Sequence, residues 1–131
     1  MPEIQGYAHV AITVSDLDAS LAFYERLLGT APVGRIQLEG LDRRLFPVGG
    51  GQILGVTAYT HGSADVSDPT KPGLDHIGFA VADREGVVAW QTQATEAGID
   101  SDLQDADFGH ALMVKDPDGN QIEFFAPAAE A

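Results

Sequence analysis

The chain contains no cysteine. Disulfides, thiolate metal sites and a cysteine nucleophile are therefore excluded, and a metal ion would have to be held by His, Asp or Glu. Basic residues are also scarce: 7 Lys and Arg stand against 20 Asp and Glu, a formal net charge of −13. That balance lacks the basic clusters which a nucleic-acid backbone or an anionic membrane surface requires. No apolar run approaches the length of a membrane span. The opening MPEIQGYAHV has neither the basic region nor the apolar core of a secretion signal. The expected setting is soluble and cytoplasmic. What remains is an ordinary globular composition, 44% hydrophobic and 21% charged over 131 residues. Such a chain is most simply one domain, 1–131, or two small modules sharing a core.

The most informative stretch is His9-Val-Ala-Ile-Thr-Val14, echoed by His76-Ile-Gly-Phe-Ala-Val81. In each, large aliphatic or aromatic residues alternate with a histidine and small residues, the period of a strand with one buried face. Each strand is followed at once by a helix signal. Ser15 or Asp16 caps a helix carrying Leu17, Leu21, Tyr24, Leu27 and Leu28, which Gly29 ends. Asp83 caps a second, carrying Val87, Trp90, Ala94 and Ala97 before Gly98. Three strands are expected after each helix: 33–38, 44–48 and 52–59 in the first half, then 101–103, 110–114 and 121–125. Gly49-Gly50-Gly51 and Asp116-Pro117-Asp118-Gly119-Asn120 supply the tight turns. The expected fold is therefore α+β, two tandem βαβββ modules at 5–60 and 74–127 joined by the Gly/Ser/Asp/Pro-rich linker 61–73.

Three side chains fall on the small-residue face of these strands: His9, His76 and Glu123. A carboxylate in a strand otherwise reading IxFF is costly unless solvated or paired. If the modules pack with these faces together, the two imidazoles and Glu123 could meet one divalent ion: Fe2+, Zn2+, Ni2+, Co2+ or Mn2+. Against this stand the bland alternatives of a hydrogen-bonded structural histidine and a solvated edge carboxylate. His110 is a candidate second base. Arg35, Arg43 and Arg44 either neutralise an anionic substrate or pair with surface acids.

The segments HVAITVSDLDASLAFYERLLG, GLDHIGFAVADRE and MVKDPDGNQIEFFAP resemble the signatures of the vicinal oxygen chelate superfamily. That group includes glyoxalase I, bleomycin-resistance proteins, fosfomycin-resistance enzymes and extradiol dioxygenases. The resemblance covers essentially the whole chain and implies the glyoxalase-like fold, paired βαβββ modules curled into a mixed-sheet cup. It also implies metal ligation by His9, His76 and Glu123. A fourth ligand is usual in the last strand of module one, where this chain has Leu54 or Gly55, depending on the gap. Neither can coordinate, and Gln52 reaches the place only if the register slips by two.

The resemblance thus implies a metal-dependent enzyme acting on a small molecule with two adjacent oxygens, by lyase or isomerase chemistry or by extradiol-type dioxygenation. Glu123 or His110 would serve as base. The alternative is a metal-free, bleomycin-resistance-like protein that sequesters a drug. Relatives of this length imply a homodimer, and a half of about 65 residues buries too little surface to stand alone comfortably.

Overall fold

The fold was obtained as a computed structural model that describes residues 1–129; the last two positions of the expected domain lie outside the described residues. In chain order the elements are β1 (His9–Thr13), α1 (Leu17–Leu28), β2 (Gly34–Leu38), β3 (Leu41–Pro47), β4 (Ile53–Tyr59), β5 (Ile77–Ala80), α2 (Arg84–Glu96), β6 (Asp102–Ala106), β7 (Gly109–Lys115) and β8 (Gln121–Pro127). The α+β, twice-βαβββ order is the expected one. Each module carries its own four-stranded mixed sheet, ordered β1-β4-β3-β2 and β5-β8-β7-β6. By compactness the chain divides into two units, one of Met1–Glu25 with Gly29–Ala64, the other of Arg26–Leu28 with Asp65 onward.

In the first unit β1 runs parallel to β4, and β2, β3 and β4 are antiparallel. Strand parity then sorts the side chains. Ile12, Phe46, Leu54 and Val56 share one buried face, where Tyr24 of α1 reaches Phe46 at a ring separation of 6.2 Å. His9, Ala11, Arg43, Leu45, Gly55 and Thr57 share the other. Helix α1 begins where the Asp16 carboxylate accepts from Ala19 N, and ends where Gly29 takes φ 70°. Strand β3 begins earlier than its apolar pattern suggests, at Leu41, because Gly40 at φ 80° turns the chain directly back from β2. Its charges are matched locally. Arg35 and Arg44 both bond Asp42, and that carboxyl is held below the ordinary value by Arg35 first and Arg44 next.

The second unit repeats the plan. Ile77, Leu112, Val114, Ile122 and Phe124 form the buried face, and Trp90 of α2 stacks on Phe124 with centroids 4.3 Å apart. Glu123, on the alternate parity, faces away from α2. Its position is set by the β7–β8 turn, where Asp116 is buried at 5% exposure. One Asp116 oxygen accepts from Asp118 N and Asn120 N at 2.9 and 2.8 Å, and the other from Asn120 Nδ2 at 2.9 Å. Gly119 takes φ 82°, and a Cβ there would stand 2.8 Å from Val66 Cγ1, since 66–67 are laid against the turn through Ser67 N donating to Asp118 O. Part of the expected linker is thus docked.

Replacing Asp116 with Ala leaves two buried amides and the Asn120 side chain without their acceptor. The expected cost is about 3 kcal/mol in urea-monitored unfolding. A change under about 0.5 kcal/mol, the size of a neutral surface substitution, would show that the turn holds itself without this carboxylate.

Candidate functional site

On the face of the second sheet away from α2, His76 and Glu123 come together. His76 precedes β5, and its Nδ1 donates to Asp75 Oδ1 at 2.7 Å. Against a carboxylate Nδ1 is the donor, so Nε2 of the neutral ring presents its lone pair. That Nε2 lies 3.7 Å from Glu123 Oε2. The gap is too wide for a hydrogen bond. Two donors each about 2.1 Å from one ion stand roughly 3 to 3.6 Å apart, so the pair, at 3.7 Å, is spaced slightly wider than a shared divalent cation would hold it. The Glu123 side chain is 17% exposed, yet its one imidazole neighbour makes no hydrogen bond to it. Gly78, paired with Glu123 across the strands, leaves the space beside the carboxylate open: a Cβ there would stand 3.6 Å from Oε1.

His9 occupies the matching position of the first unit, where it lines a cavity of about 170 Å³ with Ala8, Ala11, Ile36, Arg43, Leu45, Ile53 and Gly55. Apart from His9 and Arg43 these walls are apolar. Among the described residues, no group of three or more His, Asp or Glu stands together at metal-holding distances. The structure brings together two of the three expected ligands within one unit and carries His9 in the other.

The sheet registers decide between Leu54 and Gly55 as the counterpart of Glu123 in the first unit. Glu123 pairs with Gly78, two residues after His76, and Gly55 pairs with Ala11, two residues after His9. Gly55, not Leu54, is the equivalent of Glu123. The space above it is taken by Arg43, whose Cδ lies 3.0 Å from where a Gly55 Cβ would be. Gln52 precedes β4 and is exposed.

The expectation that His110 works beside Glu123 is corrected. Met113 pairs with Glu123 while His110 pairs with Ala126, three residues along β7, so the two side chains project from opposite faces of the sheet. His110 Nδ1 instead bonds Asp105 Oδ1 at 2.6 Å, and Asp105 accepts from Arg84 at the start of α2 at 3.0 and 3.1 Å. Asp75, the hydrogen-bond partner of His76, is a neighbour of the candidate site that the sequence pattern did not single out. Its signal is the acid immediately before a strand-leading histidine.

The twice-βαβββ fold, with an imidazole at the head of a strand and a carboxylate on the next, is that of the vicinal-oxygen-chelate class of protein. The chain belongs to the Glyoxalase/Bleomycin resistance protein/Dioxygenase superfamily, whose profile matches residues 6–124. It is 31% identical over 125 residues to a trivalent organoarsenical cleaving enzyme of Bacillus sp. (strain MD1), covering 91% of this chain and 71% of that one. A glyoxylase/bleomycin resistance protein/dioxygenase domain from Frankia sp. EAN1pec superposes with a TM-score of 0.86 at 27% identity, over 96% of this chain and 100% of the other. A mutant of the fosfomycin resistance protein FosX from Listeria monocytogenes, in complex with Mn(II) and 1S,2S-dihydroxypropylphosphonic acid, shares the fold at 18% identity. Its TM-score is 0.69, over 98% of this chain and 94% of that one.

The Arg84–Asp105–His110 cluster gives a pH signature separate from the His76–Glu123 pair. Arg84 first, then His110, hold the Asp105 carboxyl down from its ordinary 3.8 to about 2. A carboxyl lowered on folding contributes stability that is present above its unfolded value and lost as pH falls toward its folded one. Asp105→Asn should therefore lose less stability than wild type between pH 4 and pH 2 in thermal melts. Equal losses would show that the cluster is not coupled to folding.

Proposed function

We propose that the chain is a metal-dependent vicinal oxygen chelate enzyme acting on a small molecule with two adjacent oxygens. The observation that carries this reading is the His76–Glu123 pair, with the ring oriented by Asp75 and its Nε2 3.7 Å from the carboxylate. His9, at the matching strand position, is the third donor, from the same chain or from the second copy of a homodimer. Two imidazoles and one carboxylate suit Fe2+, Zn2+, Ni2+ or Mn2+. Such an ion, when bound, supplies Lewis acidity for negative charge on a substrate oxygen.

The chain's own groups supply the rest. Asp75 holds the ring so that Nε2 faces Glu123, and Glu123 is the carboxylate placed to take or hold a proton there. Gly55 offers no fourth ligand, which favours reactions in which both substrate oxygens find free positions. Extradiol-type dioxygenation and lyase or isomerase chemistry both satisfy that condition, whereas turnover of the methylglyoxal–glutathione adduct does not follow from it. The Mn(II) complex of a fold relative supports the choice of a divalent ion. The organoarsenical-cleaving relative supports an enzyme. Its substrate is not carried over, because trivalent arsenic favours thiolates and this chain has no cysteine. A metal-free drug-sequestering role is the second reading, favoured by the apolar walls around His9.

Elemental analysis tests the choice. Protein offered Fe(II), Zn(II), Ni(II) or Mn(II) should retain one of them stoichiometrically, and His9→Ala, His76→Ala or Glu123→Ala should weaken binding roughly 10-fold or more. Wild-type protein that stays metal-free under all four would move the chain to the sequestering reading.

A further inference from the structure

The first unit carries a charge reversal at the place where the second carries its carboxylate. In the second unit Glu123 pairs with Met113, and two residues before Met113 stands Ala111. In the first unit Gly55 pairs with Leu45, and two residues before Leu45 stands Arg43. An acid beside a small residue has become a glycine beside a guanidinium. The glycine is what admits it, since any Cβ at Gly55 would press on the Arg43 stem at 3.0 Å and on Ala11 Cβ at 3.3 Å.

Arg43 differs from its neighbours in what it bonds. Arg35 and Arg44 spend their charge on Asp42, and Arg84 spends its on Asp105. Among the described residues Arg43 has no carboxylate partner. Its Nε donates to the buried Thr57 hydroxyl at 2.8 Å, which fixes the plane of the guanidinium. Arg43 lines a cavity of about 170 Å³ whose other walls include Ile36, Leu45 and Ile53, with His9 also on its wall. A planar cation in an otherwise apolar, partly desolvated recess is a recogniser of a planar or tetrahedral oxyanion, because its paired donors match two oxygens at once.

We propose that Arg43 is a specificity-determining residue that selects ligands combining a carboxylate or similar oxyanion with a small apolar body. The inference deepens the small-molecule reading above and shares with it only the assumption that this cavity takes a small molecule. The ion pair forms against Arg43, Thr57 keeps the guanidinium in plane, and the isoleucine and leucine walls take the apolar part. In a chain of net charge −13, an unspent positive group is what lets an anion approach this face.

The test uses benzoate and its neutral counterpart benzamide as probes on chelator-treated, full-length protein, with binding followed by NMR shifts at the backbone amides of His9 and Thr57. Benzoate should bind roughly 10-fold or more tightly than benzamide, the worth of a charge-assisted hydrogen bond in a recess. Arg43→Met should abolish that preference, and Arg43→Lys should keep part of it. Equal affinity for the two probes, no binding of either, or a preference that survives in Arg43→Met would overturn the proposal. Should Arg43→Met fail to fold, Thr57→Val serves instead: it frees the guanidinium and should weaken the preference, and an unchanged preference would overturn it. Because no metal is present, the outcome is independent of metal binding. A benzoate preference in a protein that never takes up metal would leave this proposal standing and remove only the metal-dependent reading.

Discussion

The buried carboxylate of Asp116 holds the β7–β8 hairpin in register, and the placement of Glu123 depends on it. It collects two backbone amides and the Asn120 side chain within the turn, so the hairpin closes on one residue pairing only. The side-chain period of a strand is two, so a slip of one residue would carry Glu123 to the side of Trp90 and bring Phe124 out in its place. The DPDGN segment therefore acts at a distance of a few residues: it contributes no ligand, yet it decides which face receives the acid. The same turn receives Ser67, and so anchors the chain that leads into the second module.

Two units built on one plan have diverged at the face their helices do not cover. Both keep the leading histidine and the small residue two places on, and both bury the alternate parity. Among the positions where they differ, one pair reverses charge: glutamate and alanine in one unit, glycine and arginine in the other. Duplication of a fold fixes where side chains point, and leaves open what those side chains are. The result is an electron-rich pair, His76 and Glu123, on one sheet and a cationic, apolar-walled recess on the other.

Much of this is legible in the amino-acid order. Period-two alternation locates β1, β5 and β8, and the Asp16 and Asp83 caps and Gly29 mark helix ends because each solves a local backbone problem. The triple glycine turn is legible for the same reason: all three residues take positive φ. Strand β3 reads too short because Leu41-Asp-Arg-Arg carries its charges in both parities, and its identity as a strand comes from pairing with β2 and β4 rather than from its own pattern. The choice between Leu54 and Gly55 lies out of reach of the sequence, since a parallel register is set by two distant segments. His110 is a different case. It shares parity with Leu112 and Val114, so counting along β7 places it on the helix side, and its partner Asp105 lies in the neighbouring strand.

The reading most open to test is the proposal that His9, from the same chain or from a second copy, joins His76 and Glu123 at one divalent ion. The most direct measurement is a zinc titration followed through the imidazole nitrogens of the four histidines by long-range proton–nitrogen NMR. Nε2 of His9 and of His76 should shift together and saturate at one equivalent of zinc per chain, with His61 and His110 unmoved and the response in Glu123→Ala weakened roughly 10-fold or more. A response confined to His76, or one led by His110 or His61, would contradict it.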